Sequence, residues 1–185
     1  NLLAVISSLV GSGLPIQKVI KQVSHISQVP GRMERLGTKL TPQVFIDYAH
    51  TPDALKKALG TLKDHTEGKL VCVFGCGGDR DKGKRKEMAE AASDLADTNF
   101  ITSDNPRSES PKKIISEISR SMSGAYKTEI DRHKAISKAI EQAKKQDIIL
   151  IAGKGHETYQ EINGVRYPFS DKKYVKKALK KYKTN

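Results

Sequence analysis

The chain has 185 residues, enough for one domain with a buried core and a short extra piece. Charged residues make up 29% and hydrophobic residues 37%, with four Phe and no Trp, which is a globular rather than a membrane composition. Two Cys exclude a disulfide framework and point to a reducing compartment, and the formal net charge of +12 leaves open an anionic partner.

Among the longest apolar runs is Leu70-Val71-Cys72-Val73-Phe74, far short of the roughly 20 residues a membrane helix needs. The chain opens on Asn1-Leu2-Leu3-Ala4 without Met and without a basic n-region, so it reads as a piece of a longer protein rather than as a secretory precursor. A cytoplasmic monomer with no membrane segment is expected.

Residues 2–12 and 15–25 read as two helices parted by Gly11-Ser12-Gly13. Gln28-Val29-Pro30-Gly31-Arg32 follows as a boundary loop. Val44-Phe45-Ile46 is a short strand, and Thr51-Pro52 predicts an N-cap and first helical position for a helix running to about Lys63. Residues 70–74 form the next strand, with a helix over about 85–95. Residues 99–102 are a third strand, followed by a helix from near Pro111 and another over about 133–145. Ile148-Ile149-Leu150-Ile151-Ala152 is the most apolar strand. Asn163-Gly164, set between alternating polar and apolar residues 159–169, is a hairpin signal. An amphipathic helix closes the chain, with Lys172, Lys173, Lys176, Lys177, Lys180, Lys181 and Lys183 on its outer face. Such a face is more often solvated than bound to a partner.

Strands alternating with helices of this length predict βαβ units and an open, mostly parallel, Rossmann-like α/β sheet with flanking helices. Residues 30–185 would form this domain and residues 1–29 the end of a preceding one. Ligands of such sheets bind at the carboxyl ends of the strands. Each of the four strands runs directly into a polar or Gly-rich segment: Asp47-Tyr48-Ala49-His50-Thr51-Pro52, the run from Gly75 to Arg85, Ser103-Asp104-Asn105-Pro106-Arg107, and Gly153-Lys154-Gly155-His156-Glu157. Parallel strands would bring all four to one rim.

The run from Gly78 to Lys84 fits G-x-x-x-x-G-K, but Arg85 stands where a phosphate loop places Ser or Thr. The expectation is a Gly-rich turn in which Arg80 and backbone amides bind a carboxylate or phosphate near the helix start. Asp104-Asn105-Pro106-Arg107 reads either as an Asx turn or as an amino-acid clamp, with Arg107 on a carboxylate and Asp104 on an ammonium. His50 and His156 lie on the predicted rim, whereas His25, His65 and His133 read as surface or packing residues. Cys72 and Cys76 lack further ligands for zinc, and no metal site is expected.

Taken together, these segments resemble the Mur ligases, specifically the UDP-N-acetylmuramoyl-tripeptide synthetase type. The resemblance is carried by Val29-Pro30-Gly31-Arg32, the run from Asp47 to Leu55, Gly75 to Arg85, Asp104-Asn105-Pro106-Arg107 and Gly153-Lys154-Gly155-His156-Glu157, in the family's order and over nearly the whole chain. It implies the end of a central ATPase domain and the whole of a third, amino-acid-binding domain. It implies ATP and Mg2+ as cofactors, bound mainly upstream, and a reaction through an acyl phosphate on the D-Glu carboxylate of UDP-MurNAc-L-Ala-D-Glu. Asn1, Arg32, Asp47 and His50 match nucleotide-facing positions. Arg80, Asp104, Asn105, Arg107, Gly153 and Glu157 match the amino-acid pocket.

Arg107 also speaks to the substrate. Diaminopimelate carries a carboxylate beside its distal ammonium, and lysine has the ammonium alone, so a guanidinium favours the first and repels the second. The expected amino acid is meso-diaminopimelate. The 185-residue chain by itself is expected to be inactive. An L-lysine-adding homologue, a basic nucleic-acid-binding module and a P-loop phosphotransferase are the alternatives. With 5% aromatics and no reading motif, the nucleic-acid alternative has little support, and no nucleic-acid partner is expected.

Overall fold

The structure, a computed structural model, describes residues 2–23 and 25–182. Two helices, α1 (Leu2–Gly11) and α2 (Ile16–Val23), come first. The main body follows as β1 (Glu34–Leu36), β2 (Gln43–Asp47), α3 (Pro52–Lys63), β3 (Leu70–Phe74), α4 (Gly83–Leu95), β4 (Thr98–Thr102), α5 (Pro111–Ser119), β5 (Tyr126–Glu129), α6 (Arg132–Gln142) and β6 (Ile148–Ala152). A hairpin of β7 (Tyr159–Ile162) and β8 (Val165–Pro168) and a last helix, α7 (Asp171–Lys181), complete it.

The six-stranded sheet has the order β1-β2-β6-β3-β4-β5. From β2 to β5 every pairing is parallel, and β1 runs antiparallel on the edge. The central strands are apolar at every position because helices cover both faces. Leu70, Cys72 and Phe74 point to one side with Leu150, against Leu55, Leu59, Met88, Ala92 and Ile118 of α3, α4 and α5. Val71, Val73, Ile149 and Ile151 point to the other, against Ile136, Ala139 and Ile140 of α6 and Val175 of α7. The period of two along β3 and β6 therefore builds two cores and three layers.

Thr51 caps α3 as expected, its side chain accepting from the Ala54 amide, with Pro52 behind it. Helix α4 starts two residues before the expected Arg85, and α6 ends at Gln142 rather than near residue 145. Strands β1 and β5 are additions to the predicted set. Both are edge strands, with the sequences Glu-Arg-Leu and Tyr-Lys-Thr-Glu. Charge on an edge discourages pairing with another chain and also erases the apolar signature of a strand. No helix among the described residues is long and apolar enough to cross a membrane.

Candidate functional site

Four loops leave the carboxyl ends of β2, β3, β4 and β6, and the structure joins them into one rim. The β3 and β4 loops touch at backbone level. A Cβ on Gly75 would lie 2.2 Å from the Thr102 carbonyl oxygen, and one on Gly78 would lie 1.9 Å from that of Pro106. The Gly78 amide donates to the Asn105 carbonyl at 2.9 Å. Glycine is needed at both positions because another stretch of backbone passes where a side chain would begin.

The Asp104–Arg107 segment is clamped from a second side by the β7–β8 hairpin. The Arg107 amide donates to the Glu161 carbonyl at 3.1 Å, and the Asn163 amide donates to the Arg107 carbonyl at 2.8 Å. Gln160 Nε2 donates to the Asp104 carbonyl at 2.6 Å. Arg107 is held at φ 51°, a left-handed conformation that a non-glycine residue adopts only when its surroundings impose it. Its Nη1 donates to the Gly78 carbonyl at 2.9 Å. Glu161 Oε2 stands 3.7 Å from its Nε.

Asp104 Oδ1 accepts from the Asn105 amide at 2.7 Å, and a Cβ on Gly153 would lie 2.8 Å from Oδ2. Gly153 thus admits the Asp104 carboxylate to the rim. Asn105 is buried, and its Nδ2 donates to Glu157 Oε2 at 3.0 Å. Gly77 lies between the two arginines, since its Cβ would meet Arg107 Nη1 at 2.9 Å and Arg80 Cγ at 3.8 Å. Arg80 itself is exposed, with Nη1 donating to the Asp79 carbonyl at 3.1 Å. All six residues expected in an amino-acid pocket, Arg80, Asp104, Asn105, Arg107, Gly153 and Glu157, meet on this stretch of rim.

Four backbone amides of the Gly78–Arg85 loop are turned to partners within the protein. The amide of Gly78 serves Asn105, that of Asp79 serves Glu109 Oε1 at 2.7 Å, that of Gly83 serves Asp81 Oδ1 at 2.9 Å, and that of Arg85 serves the Lys82 carbonyl at 3.1 Å. A phosphate loop needs those groups pointing at its ligand. Arg85 explains the departure from the P-loop pattern. Its side chain is buried and ion-paired with Glu109 and Glu117, which ties α4 to α5.

A second cluster borders the first. Gly31, at φ 67°, packs so closely on the β6 loop that a Cβ would lie 2.1 Å from the His156 nitrogen. The Arg32 guanidinium lies over the Tyr48 ring at 5.0 Å. Tyr48 meets His50 at 4.6 Å and His156 at 5.6 Å between ring centroids. His50 Nδ1 is 2.8 Å from the Tyr48 carbonyl oxygen. Asp47 Oδ2 accepts from the Met33 amide at 2.7 Å, and its carbonyl accepts from the Gly153 amide at 3.1 Å. Arg32, Asp47 and His50 therefore form one neighbourhood, joined to the first through the 153–156 loop. Asn1 lies outside the described residues.

Two further cations are buried at this rim. Lys154 is completely buried, with Nζ 2.9 Å from Asn105 Oδ1 and 2.8 Å from Glu157 Oε2. Arg132, at the start of α6, donates from Nη2 to the Ala152 carbonyl at 2.9 Å, at the end of β6. A Lys flanked by two Gly at the end of the most apolar strand was the available hint for the first. Nothing local marked the second. His133 packs on Tyr174 at 4.4 Å, in keeping with a packing role. Cys72 and Cys76 are buried, and among the described residues no group of His, Cys, Asp and Glu is arranged to hold a metal.

Comparison with known proteins identifies the family. The family described as Mur ligase, glutamate ligase domain, matches residues 31–155. A UDP-N-acetylmuramoyl-L-alanyl-D-glutamate--2,6-diaminopimelate ligase from Coxiella burnetii is 49% identical over 181 residues, covering 97% of this chain and 37% of that protein. The protein of the same name from Pseudomonas aeruginosa is 47% identical over the same share of each. A solved structure of a ligase of this name superposes with a TM-score of 0.79 at 42% identity, over 97% of this chain and 37% of that one. The UDP-N-acetylmuramate-alanine ligase of Thermotoga maritima, at 20% identity and TM-score 0.63 over 97% of this chain and 36% of its own, shares the fold. The chain spans 37% of the length of the curated relatives it matches first. With the family pattern covering residues 31–155 and close relatives matching along nearly all of its length, the chain belongs to the Mur ligase family and contains that family's glutamate ligase domain.

Proposed function

We propose that this chain is the carboxy-terminal portion of an ATP-dependent amide-bond ligase that adds meso-diaminopimelate to UDP-MurNAc-L-Ala-D-Glu in peptidoglycan synthesis, with residues 30–185 receiving the amino acid. The observation that carries this reading is the meeting of Asp104, Asn105, Arg107 and Glu157 on one rim, two carboxylates beside two hydrogen-bond donors. The distal end of diaminopimelate bears an ammonium and a carboxylate on one carbon. Asp104 and Glu157 take the ammonium, and Arg107 and Asn105 take the carboxylate. Arg80 adds positive charge at the mouth. Lysine would bring its ammonium to Arg107 with no carboxylate to offset the repulsion. Holding the distal end leaves the near amine directed away from the rim, where the acceptor carboxylate must come. Relatives 46–49% identical are named as 2,6-diaminopimelate ligases, which supports this substrate.

Arg32, Asp47 and His50 are assigned to the nucleotide side. A guanidinium over Tyr48 with an exposed imidazole beside it suits phosphate or ribose oxygens. Asn1 joins them on resemblance alone. ATP, when bound, supplies the activation of the acceptor carboxylate, and this chain's residues orient and charge-match the reactants. Among the described residues no donor set fits magnesium, so its ligands are assigned to the rest of the parent protein. Residues 1–29 are assigned to the end of the central domain. Leu2, Val5 and Leu9 of α1 are exposed and, with Val19 and Val23 of α2, line an apolar groove of about 490 Å3 that the remainder of that domain would cover. The parent protein is taken to be a monomer working in the cytoplasm.

The test is ligation by the parent protein with meso-diaminopimelate and with L-lysine, before and after Arg107→Ala. Loss of a charge-assisted pair should lower kcat/KM for diaminopimelate by about 10- to 100-fold and narrow its lead over lysine. A wild-type protein that prefers lysine would remove the substrate assignment.

A further inference from the structure

We propose that Lys154 is a positioning residue that, with the Glu161 amide, holds Asn105 as a donor toward the carboxylate end of an amino-acid ligand. The inference rests on reading the rim as an amino-acid pocket, and deepens that reading. Lys154 is completely buried, so it acts through its neighbours and not on the ligand.

Its Nζ lies 2.9 Å from one end atom of the Asn105 amide. An ammonium has three protons and no lone pair, so the atom it meets must be an acceptor, the oxygen. The Glu161 backbone amide approaches the same atom at 3.0 Å and makes the same demand. The other end of the amide faces Glu157 Oε2 at 3.0 Å, an acceptor that requires a donor. Three independent contacts agree on one orientation. Turning the amide over would set an NH2 group against two donors and a carbonyl against a carboxylate.

The orientation fixes what Asn105 offers. Both lone pairs of Oδ1 are occupied, by Lys154 and by Glu161, while Nδ2 retains a second proton. Asn105 therefore donates to a ligand and does not accept from one. Lys154 acts on Glu157 in the same way. Oε2 of that carboxylate holds both Lys154 and Asn105, at 2.8 and 3.0 Å, and Oε1 remains for a cation. Lys154, with the Glu161 amide, thus sorts the rim into an anion side, Asn105 with Arg107, and a cation side, Glu157 with Asp104. The complement is an ammonium and a carboxylate on one carbon, not an ammonium alone.

The experiment measures KM and kcat of the parent protein for meso-diaminopimelate and L-lysine in the wild type, Lys154→Met and Asn105→Asp. In Lys154→Met the amide loses the charged one of its three orienting contacts and Glu157 loses its buried cation, and KM for diaminopimelate should rise about ten-fold or more while kcat stays within about three-fold. Simple loss of structure would lower the amount of active protein, and so kcat, leaving KM where it was. Asn105→Asp keeps an oxygen on Lys154 and puts a second one in place of Nδ2. KM for diaminopimelate should rise again by about ten-fold, and this arm decides the matter if Lys154→Met does not fold. An unchanged KM in Lys154→Met, or an unchanged or lower KM in Asn105→Asp, overturns the inference while leaving the functional reading in place. A wild-type protein that does not accept diaminopimelate sinks both.

Discussion

Arg132 grips Asp171 through two parallel hydrogen bonds of 2.8 Å, Nε to Oδ1 and Nη2 to Oδ2, and both side chains are completely buried. The pair joins the first residue of α7 to the first turn of α6. Through its bond to the Ala152 carbonyl, Arg132 also reaches the last residue of β6, just before Gly153. A buried charge without its partner is far more costly than the pair is stabilising. Asp171→Ala should therefore lower unfolding free energy by about 3–5 kcal/mol, read from urea denaturation of the chain. The double replacement Arg132→Met with Asp171→Leu should recover most of that loss, since two apolar side chains leave no charge behind. A double variant as unstable as the single one would show that the pair's geometry, not its desolvation, is what matters.

Acid should weaken the α4–α5 contact in a defined window. The hydrogen bond from Arg85, helped by the Asp79 amide, holds the Glu109 carboxyl down at about 2, against an ordinary value of 4.5. A carboxyl depressed in the folded state contributes stability that is fully present above its unfolded value and lost as pH falls through the folded one. The loss should therefore run from about pH 4.5 down to about pH 2. Glu109→Gln should flatten the fall in urea midpoint between pH 5 and pH 3. Asp79, held low by the Ser108 hydroxyl, Glu129, held low by Lys138, and Glu34, held low against its burial by Lys172, titrate in the same direction and add to the acid sensitivity. An unaltered slope in the variant would mean that Glu109 does not titrate differently on folding.

How much of this was legible follows from where each residue sits. Strands β3 and β6 are buried on both faces, so their apolar runs announced them to the residue. β1 and β5 sit at the sheet edges with charged side chains, and no local pattern separates such strands from loops. The rim followed from topology, because parallel strands must deliver their loops to one side. That Arg85, Arg132 and Lys154 are buried was not legible. Each is a cation among the largest fully buried side chains of the fold, and its partners Glu109, Asp171 and Asn105 lie 24, 39 and 49 residues away. Composition marks such residues as surface, and only long-range pairing can reverse that.

The two cysteines should be silent in the native protein. Burial pushes the Cys76 thiol up to about 12, with the Asp104 charge adding to it, and burial raises Cys72 further. The thiolate is the reactive form, so neither group should be nucleophilic near neutral pH. Iodoacetamide at pH 8 should label neither residue in the folded chain and both in urea, as read by intact mass. Rapid native labelling of Cys76 would show that the loop after β3 opens often enough to expose it.

Gly31 and Gly164 separate two reasons for needing glycine. Both have positive φ, 67° and 76°. A Cβ at Gly164 would meet nothing within 4 Å, whereas at Gly31 it would lie 2.1 Å from the His156 nitrogen and 2.4 Å from the Gly155 carbonyl carbon. Gly164→Ala therefore carries only the backbone cost of the left-handed region, about 1–2 kcal/mol. Gly31→Ala carries that cost and must also force two backbones apart, adding about 1–3 kcal/mol, because no flexible side chain is there to yield. Urea midpoints of the two variants should rank accordingly. Since Gly31 adjoins Arg32 and its contact sets the 155–156 loop, Gly31→Ala should also raise the parent protein's KM for ATP, and Gly164→Ala should leave it unchanged. Equal losses of stability in the two variants would mean that the 31–32 and 155–156 loops separate freely, and that their close approach does not organise the proposed nucleotide side of the rim.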